Sequence, residues 1–90
     1  MDVINNKAEG QFELHVEGHV ARITYEIKGK KIYLFSTNVP ESLSGQGIGS
    51  KLLKGSLEII EGMNLKVIPK CSFIQGWFMK HPERRNILAN

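Results

Sequence analysis

A change of period near the middle of the chain decides what it can fold into. Between Gln11 and Val39 the sequence QFELHVEGHVARITYEIKGKKIYLFSTNV alternates apolar with polar residues. From Ile48 onward, Ile48, Leu52, Leu53, Leu57, Ile60 and Met63 recur at steps of about four. The first pattern is that of half-buried strands, the second that of a helix with one apolar stripe. Phe12, Leu14 and Val16 alternate with Glu13 and His15, and Glu17-Gly18 supplies a turn. Val20, Ile23, Tyr25 and Ile27 continue the alternation with one slip near Ala21-Arg22. A second turn at Gly29 leads into the β-branched and aromatic run KIYLFSTNV. Connections this short make the strands antiparallel. Gly62 is placed to end the helix as a left-handed cap. NLKVIP reads as a further strand stopped by Pro69. Phe73, Trp77 and Phe78 mark a second helix that breaks before Pro82, and ERRNILAN adds a last turn. The order β-β-β-α-β-α describes one α+β domain over residues 1–90.

Composition narrows the function. Ninety residues with 41% hydrophobic and 23% charged side chains suffice for one modest core. No apolar run approaches the ~18 residues that cross a bilayer, so no membrane partner is expected. The polar start MDVINNKAEG carries no signal-peptide pattern. The single cysteine, Cys71, cannot form an internal disulfide, which fits a reducing, cytoplasmic setting. The net charge of +3 is spread along the chain, with its tightest group, Lys28, Lys30 and Lys31, at a turn. A nucleic-acid binder needs clustered cations beside exposed aromatics; here the aromatics follow core periodicity, and no nucleic-acid partner is expected. A monomer is expected.

Three glycines alternate through Gly45-Gln46-Gly47-Ile48-Gly49 just where the helix begins. A helix N-terminus offers unpaired N–H groups and a partial positive charge, both suited to phosphate oxygens. Residues without side chains let such a ligand approach. The plainer alternative is a tight corner between strand and helix. The nucleotide-triphosphate loop, Gly-x-x-x-x-Gly-Lys-Ser/Thr, does not fit, because Gly49 is followed by Ser50-Lys51. The dinucleotide fingerprint also fails: its third glycine falls on Ser50 or Leu52.

The segment VPESLSGQGIGSKLL resembles the acyl-CoA-binding signature of the GNAT superfamily of N-acetyltransferases, with Val39, Gly47, Ile48 and Gly49 at the expected spacings. VIPKCSFIQGWFMKHPE resembles the C-terminal part of its small, single-domain, YjdJ-like branch. The likeness runs from about Phe12 to Glu83. It departs at Ser44, where the signature usually has Arg or Gln. It departs again at Ser36-Thr37-Asn38-Val39, where the branch often has His-Thr-x-Val. The resemblance implies a minimal GNAT fold, a mainly antiparallel sheet with splayed strands and two or three helices. It implies acetyl-CoA as cosubstrate and an amine as acceptor. Thr37, Asn38 and Val39 would pair with the pantetheine arm as an added strand. Gly45, Gln46, Gly47, Ile48, Gly49 and Ser50 would hold the pyrophosphate.

Cys71 follows Pro69 by two residues, at the mouth of the implied gap and at the start of the second helix. Unpaired N–H groups there lower a thiol's pKa, which suits attack on a thioester. The alternative is a small packing residue. No tyrosine follows Tyr33, so the superfamily's customary C-terminal tyrosine acid is missing and Cys71 stands where it could serve. His15 and His19 flank a turn, and His81 precedes Pro82 as an end cap. No metal-ligand spacing joins them. A non-catalytic acyl-CoA-binding module is the second reading of the same residues.

Overall fold

The computed structural model describes residues 2–89. Five strands lie in sequence order across one sheet: β1 Ile4–Asn6, β2 Gln11–Val16, β3 His19–Lys28, β4 Lys31–Asn38 and β5 Lys66–Pro69. β1 to β4 are antiparallel neighbours, and β4 pairs with β5 in parallel after the crossover through α1, Ile48–Gly62. α2, Ser72–Lys80, and a 3-10 helix, Pro82–Ile87, follow.

Alternation puts Phe12, Leu14, Ala21, Ile23, Ile32 and Leu34 on one face of the sheet, all buried. α1 lies against that face with Leu52, Leu53, Leu57 and Ile60 fully buried. Each such side chain contributes roughly 1.5–3 kcal/mol of transfer free energy. Ser56, in the same stripe, is tolerated because its hydroxyl donates to the Leu52 carbonyl at 2.7 Å.

Three features differ from the expectation from sequence. An additional strand, β1, precedes the expected first one. It has no apolar alternation, and side-chain hydrogen bonds hold it: the Tyr25 hydroxyl donates to Asn5 Oδ1 at 2.6 Å, and Asn6 Nδ2 donates to Glu13 Oε2 at 2.8 Å. The irregularity in β3 is not at Ala21-Arg22, which pair regularly with Leu14 and Glu13; the register shifts at Thr24/Tyr25. Gly62 is not the left-handed cap. It is the last residue of α1, and Asn64, φ 58°, takes the left-handed position. The Asn64 N–H reaches the Glu61 carbonyl, and the Leu65 N–H reaches that of Ile60, a Schellman ending. Asparagine tolerates this conformation better than other residues with a Cβ.

The turn at Glu17-Gly18, φ 50° and 80°, joins β2 to β3 where the sequence places it. On the sheet face away from α1, the Glu13 carboxylate accepts from Gln11 Nε2 (2.6 Å), Asn6 Nδ2 (2.8 Å) and His15 Nε2 (2.9 Å). These donors hold it at about 2, against the usual 4.5. A depressed carboxyl pKa adds stability above the unfolded value and gives it up as pH falls toward the folded one. With half-exposed His15 letting in water, Glu13→Gln is expected to cost about 1–2 kcal/mol at neutral pH. Urea melts should show the difference from wild type shrinking between pH 4.5 and about 2.

Candidate active site

β4 and β5 part company at a definite point. Leu34 pairs with Pro69, the Lys70 N–H reaches the Leu34 carbonyl at 2.8 Å, and the chain then turns away into α2. Among the described residues no strand pairs with the outer edge of β4 beyond Leu34. The same point carries a β-bulge: Tyr25 opposes Leu34 and Thr24 opposes Ser36, so Phe35 has no partner in β3. A bulge re-aims the residues that follow it. Here it brings Thr37, opposite buried Ile23, onto the helix-covered face. Asn38, opposite Arg22, turns the other way and is exposed; Val39 lies just past β4 and packs against the core.

The glycine segment lies between two anchors. Leu43, in the short 3-10 turn Glu41–Leu43, is 1% exposed, and Ile48 is 2% exposed. Residues between these buried points bulge outward: Gly45, Gln46 and Gly47 are exposed, Gly49 and Ser50 partly so. Gly45 and Gly47 have φ of 77° and 70°, and a Cβ on either would meet nothing within 4 Å. Glycine is needed at both for the backbone turn, and the space outside both is open. Gly49 is glycine for a different reason. A Cβ there would stand 3.1 Å from the ring of Phe73, so the missing side chain lets the starts of α1 and α2 pack together.

The first helical bond of α1 runs from the Lys51 N–H to the Gly47 carbonyl at 3.1 Å. The N–H groups of Ile48, Gly49 and Ser50 therefore precede the ladder, no side chain caps them, and no acid occupies the first turn. That end is electropositive and open to an anion. Ile48 buries its side chain in the core and offers only its backbone.

Cys71 precedes α2 at the mouth of the gap, partly buried, with Sγ 3.6 Å from Thr37 Oγ1 across the parting strands. Burial pushes the thiol up. The Ile74 N–H, the Thr37 hydroxyl and the Phe73 N–H oppose this, and the balance leaves it below the ordinary cysteine value. The sulfur closes no formal capping bond; its surroundings favour the thiolate all the same. Tyr25, His81 and His15 are engaged elsewhere. The Tyr25 ring packs on Phe12 and its hydroxyl is held by Asn5. His81 caps the far end of α2, with Nδ1 at 2.8 Å from the Trp77 carbonyl and its ring stacked on that indole. His15 lies on the opposite sheet face with Glu13. Trp77 and Phe78 are core residues, as their spacing indicates.

A sheet whose parallel β4–β5 pair parts beyond Leu34, with α1 crossing between the two strands and α2 following, is the architecture of a GNAT-like fold. The sequence profile described as GCN5-related N-acetyl-transferase matches residues 11–87. Protein NATD1 of Gallus gallus is 31% identical over 85 residues, covering 91% of this chain and 77% of that protein. Protein NATD1 of Homo sapiens is 31% identical over 83 residues, covering 89% and 74%. A solution NMR structure of a GCN5-like protein from Staphylococcus aureus superposes with a TM-score of 0.74 at 30% identity, covering 99% of this chain and 88% of that one. The chain belongs to the GCN5-related N-acetyltransferase family. No helix among the described residues is long and apolar enough to cross a membrane.

Proposed function

We propose that the protein binds acetyl-CoA and transfers the acetyl group to an amine, with residues 1–90 acting as one N-acetyltransferase domain. The observation that supports this most is the alignment of two unsatisfied backbone surfaces, the β4 edge beyond Leu34 and the N–H groups opening α1. The β4 edge through Thr37, Asn38 and Val39 offers main-chain donors and acceptors to the amides of the pantetheine arm, as an added strand would require. Gly45, Gln46, Gly47, Ile48, Gly49 and Ser50 present backbone donors to the pyrophosphate, with the Ser50 hydroxyl beside them. The usual long side-chain donor is absent at Ser44, which leaves the backbone as the main grip.

The acyl group then lies between the parting strands, near Cys71. In its thiolate form, Sγ attacks the acetyl carbonyl carbon, the bond to the coenzyme sulfur breaks, and that sulfur leaves and takes a proton from water. The amine attacks the acetyl-cysteine in turn, expels the Cys71 thiolate and loses its extra proton to solvent. Thr37 contributes a hydrogen bond that stabilises the thiolate between the two steps.

The test is a panel of amines incubated with the protein and radiolabelled acetyl-CoA. Label transferred to at least one class of amine at a rate above the protein-free reaction supports the proposal. Tight binding of acetyl-CoA with no transfer to any amine would mean a coenzyme-binding module instead.

A further inference from the structure

One face of the sheet carries no second layer among the described residues. The buried side chains of both helices belong to the core on the other face, together with Ile32 and Leu34 of β4. Alternation turns Tyr33 away from those two, and the bulge leaves Phe35 beside it. Their rings are 6.4 Å apart between centroids and 16° from parallel. Phe35 is 44% exposed. The expectation that the aromatics all serve the core fails at these two residues, which form a flat platform in the middle of the bare face.

The charge around the platform is lopsided. Lys31 stands in register with Lys28 of β3 and with Lys66 of β5, three lysines side by side across three strands. Like charges directly opposite one another destabilise a sheet, and little here offsets them. Lys28 is 3.8 Å from Glu26, and Lys66 Nζ donates to the Asn86 carbonyl at 2.8 Å. Lys31 joins no ion pair among the described residues. The row borders the platform directly, with Lys28 Nζ 5.6 Å from the centre of the Tyr33 ring. Beyond Phe35, exposed Arg22 lies opposite Asn38, and its neighbour Glu13 is already occupied by three side-chain donors. From Lys31 to Asn38 the strip runs roughly 23 Å at about 3.3 Å per residue.

Exposed rings flanked by cations suit a polyanion whose bases are free to stack. A second copy of this chain would set the same positive row against itself, and a duplex keeps its base faces covered. We infer that this face binds single-stranded nucleic acid, with bases stacked on Tyr33 and Phe35 and phosphates paired with Arg22 and the lysine row. The inference is independent of the coenzyme reading, because Thr37 and Cys71 belong to the helix-covered side of the sheet.

Fluorescence anisotropy of the full chain with labelled oligouridylate and oligothymidylate, each about twelve nucleotides long, and with a duplex of the same length tests this. Wild type is expected to bind at least one of the single strands roughly tenfold or more tighter than the duplex at low salt, and less tightly as salt rises. The stronger of the two tells whether RNA or DNA is preferred. Phe35→Ala should weaken binding by roughly fivefold or more, and Phe35→Trp should keep it. Lys31→Gln should lower the slope of log affinity against log salt by about 0.7. Both positions are exposed, so all three variants should melt cooperatively near the wild-type temperature. Saturating coenzyme A should leave the strand bound. Displacement by coenzyme A, equal binding of the duplex, or unchanged affinity in Phe35→Ala overturns the inference. So does sedimentation with phosphatidylserine vesicles without binding to either single strand, which would make the face a membrane surface.

Discussion

Gly47→Val is expected to weaken coenzyme A binding by at least about a hundredfold, the loss of one to two charge-assisted hydrogen bonds, while the sheet stays folded. Two effects add. Gly47 has φ 70°, which a β-branched residue adopts only with strain, so the loop must change course to accept valine. The glycine's outer side is open, so the new methyl groups would project into the space assigned to the diphosphate. The core does not depend on this position, because Leu43 and Ile48 anchor the loop on either side of it. Left-handed strain of roughly 1–2 kcal/mol should lower the melting temperature by several degrees without loss of cooperative unfolding. Gly62→Ala is the control: its Cβ would meet nothing within 4 Å and its φ is ordinary, so it should bind coenzyme as wild type does. A Gly47→Val protein with unchanged affinity would leave the glycines as a corner and nothing more.

The second large effect is expected at Cys71. Cys71→Ala and Cys71→Ser should each reduce acetyl transfer by about a hundredfold or more, as loss of an activated nucleophile does, while coenzyme affinity changes little. Serine can keep a hydrogen bond to Thr37, but its hydroxyl does not ionise near neutrality, so it does not rescue the reaction. Intact-mass spectra of wild type with acetyl-CoA should show one added acetyl group, and peptide mapping should place it on Cys71. Thr37→Val removes one of the hydrogen bonds that lower the thiol's pKa. The pH profile of Cys71 alkylation should therefore move upward, with less thiolate at any given pH. Full turnover by Cys71→Ala would contradict the covalent route and reduce Cys71 to a residue lining the gap.

The sequence carried the larger elements because they rest on apolar periodicity. Phe12, Leu14 and Val16, and the stripe from Ile48 to Ile60, show their faces directly. It concealed whatever depends on something else. β1 is held by the amides of Asn5 and Asn6, which leave no periodic trace. Gly62 drew the cap assignment because glycine favours left-handed backbone, whereas Asn64, two residues on, takes that conformation.

Thr37 is the most instructive residue. Simple alternation puts Ser36 and Asn38 on the same face as Leu34 and sends Thr37 to the other. The unpaired Phe35 reverses this order and sets the Thr37 hydroxyl opposite Cys71. A bulge is a relation between two strands, so the run KIYLFSTNV cannot announce it. The pairing of Gly49 with Phe73 is hidden in the same way, since 23 residues of chain separate a missing side chain from the ring that occupies its place.

The central claim is that main-chain donors between residues 45 and 50 grip the diphosphate while the end of β4 holds the pantetheine. Titration of isotope-labelled protein with coenzyme A, followed through backbone amide resonances, tests this residue by residue. The account predicts the largest shifts at Gly47, Gly49 and Ser50, accompanied by Thr37 and Asn38, with the amides of β2 nearly still. Shifts confined to the sheet face around Glu13, with the glycine-loop amides unmoved at saturation, would contradict it.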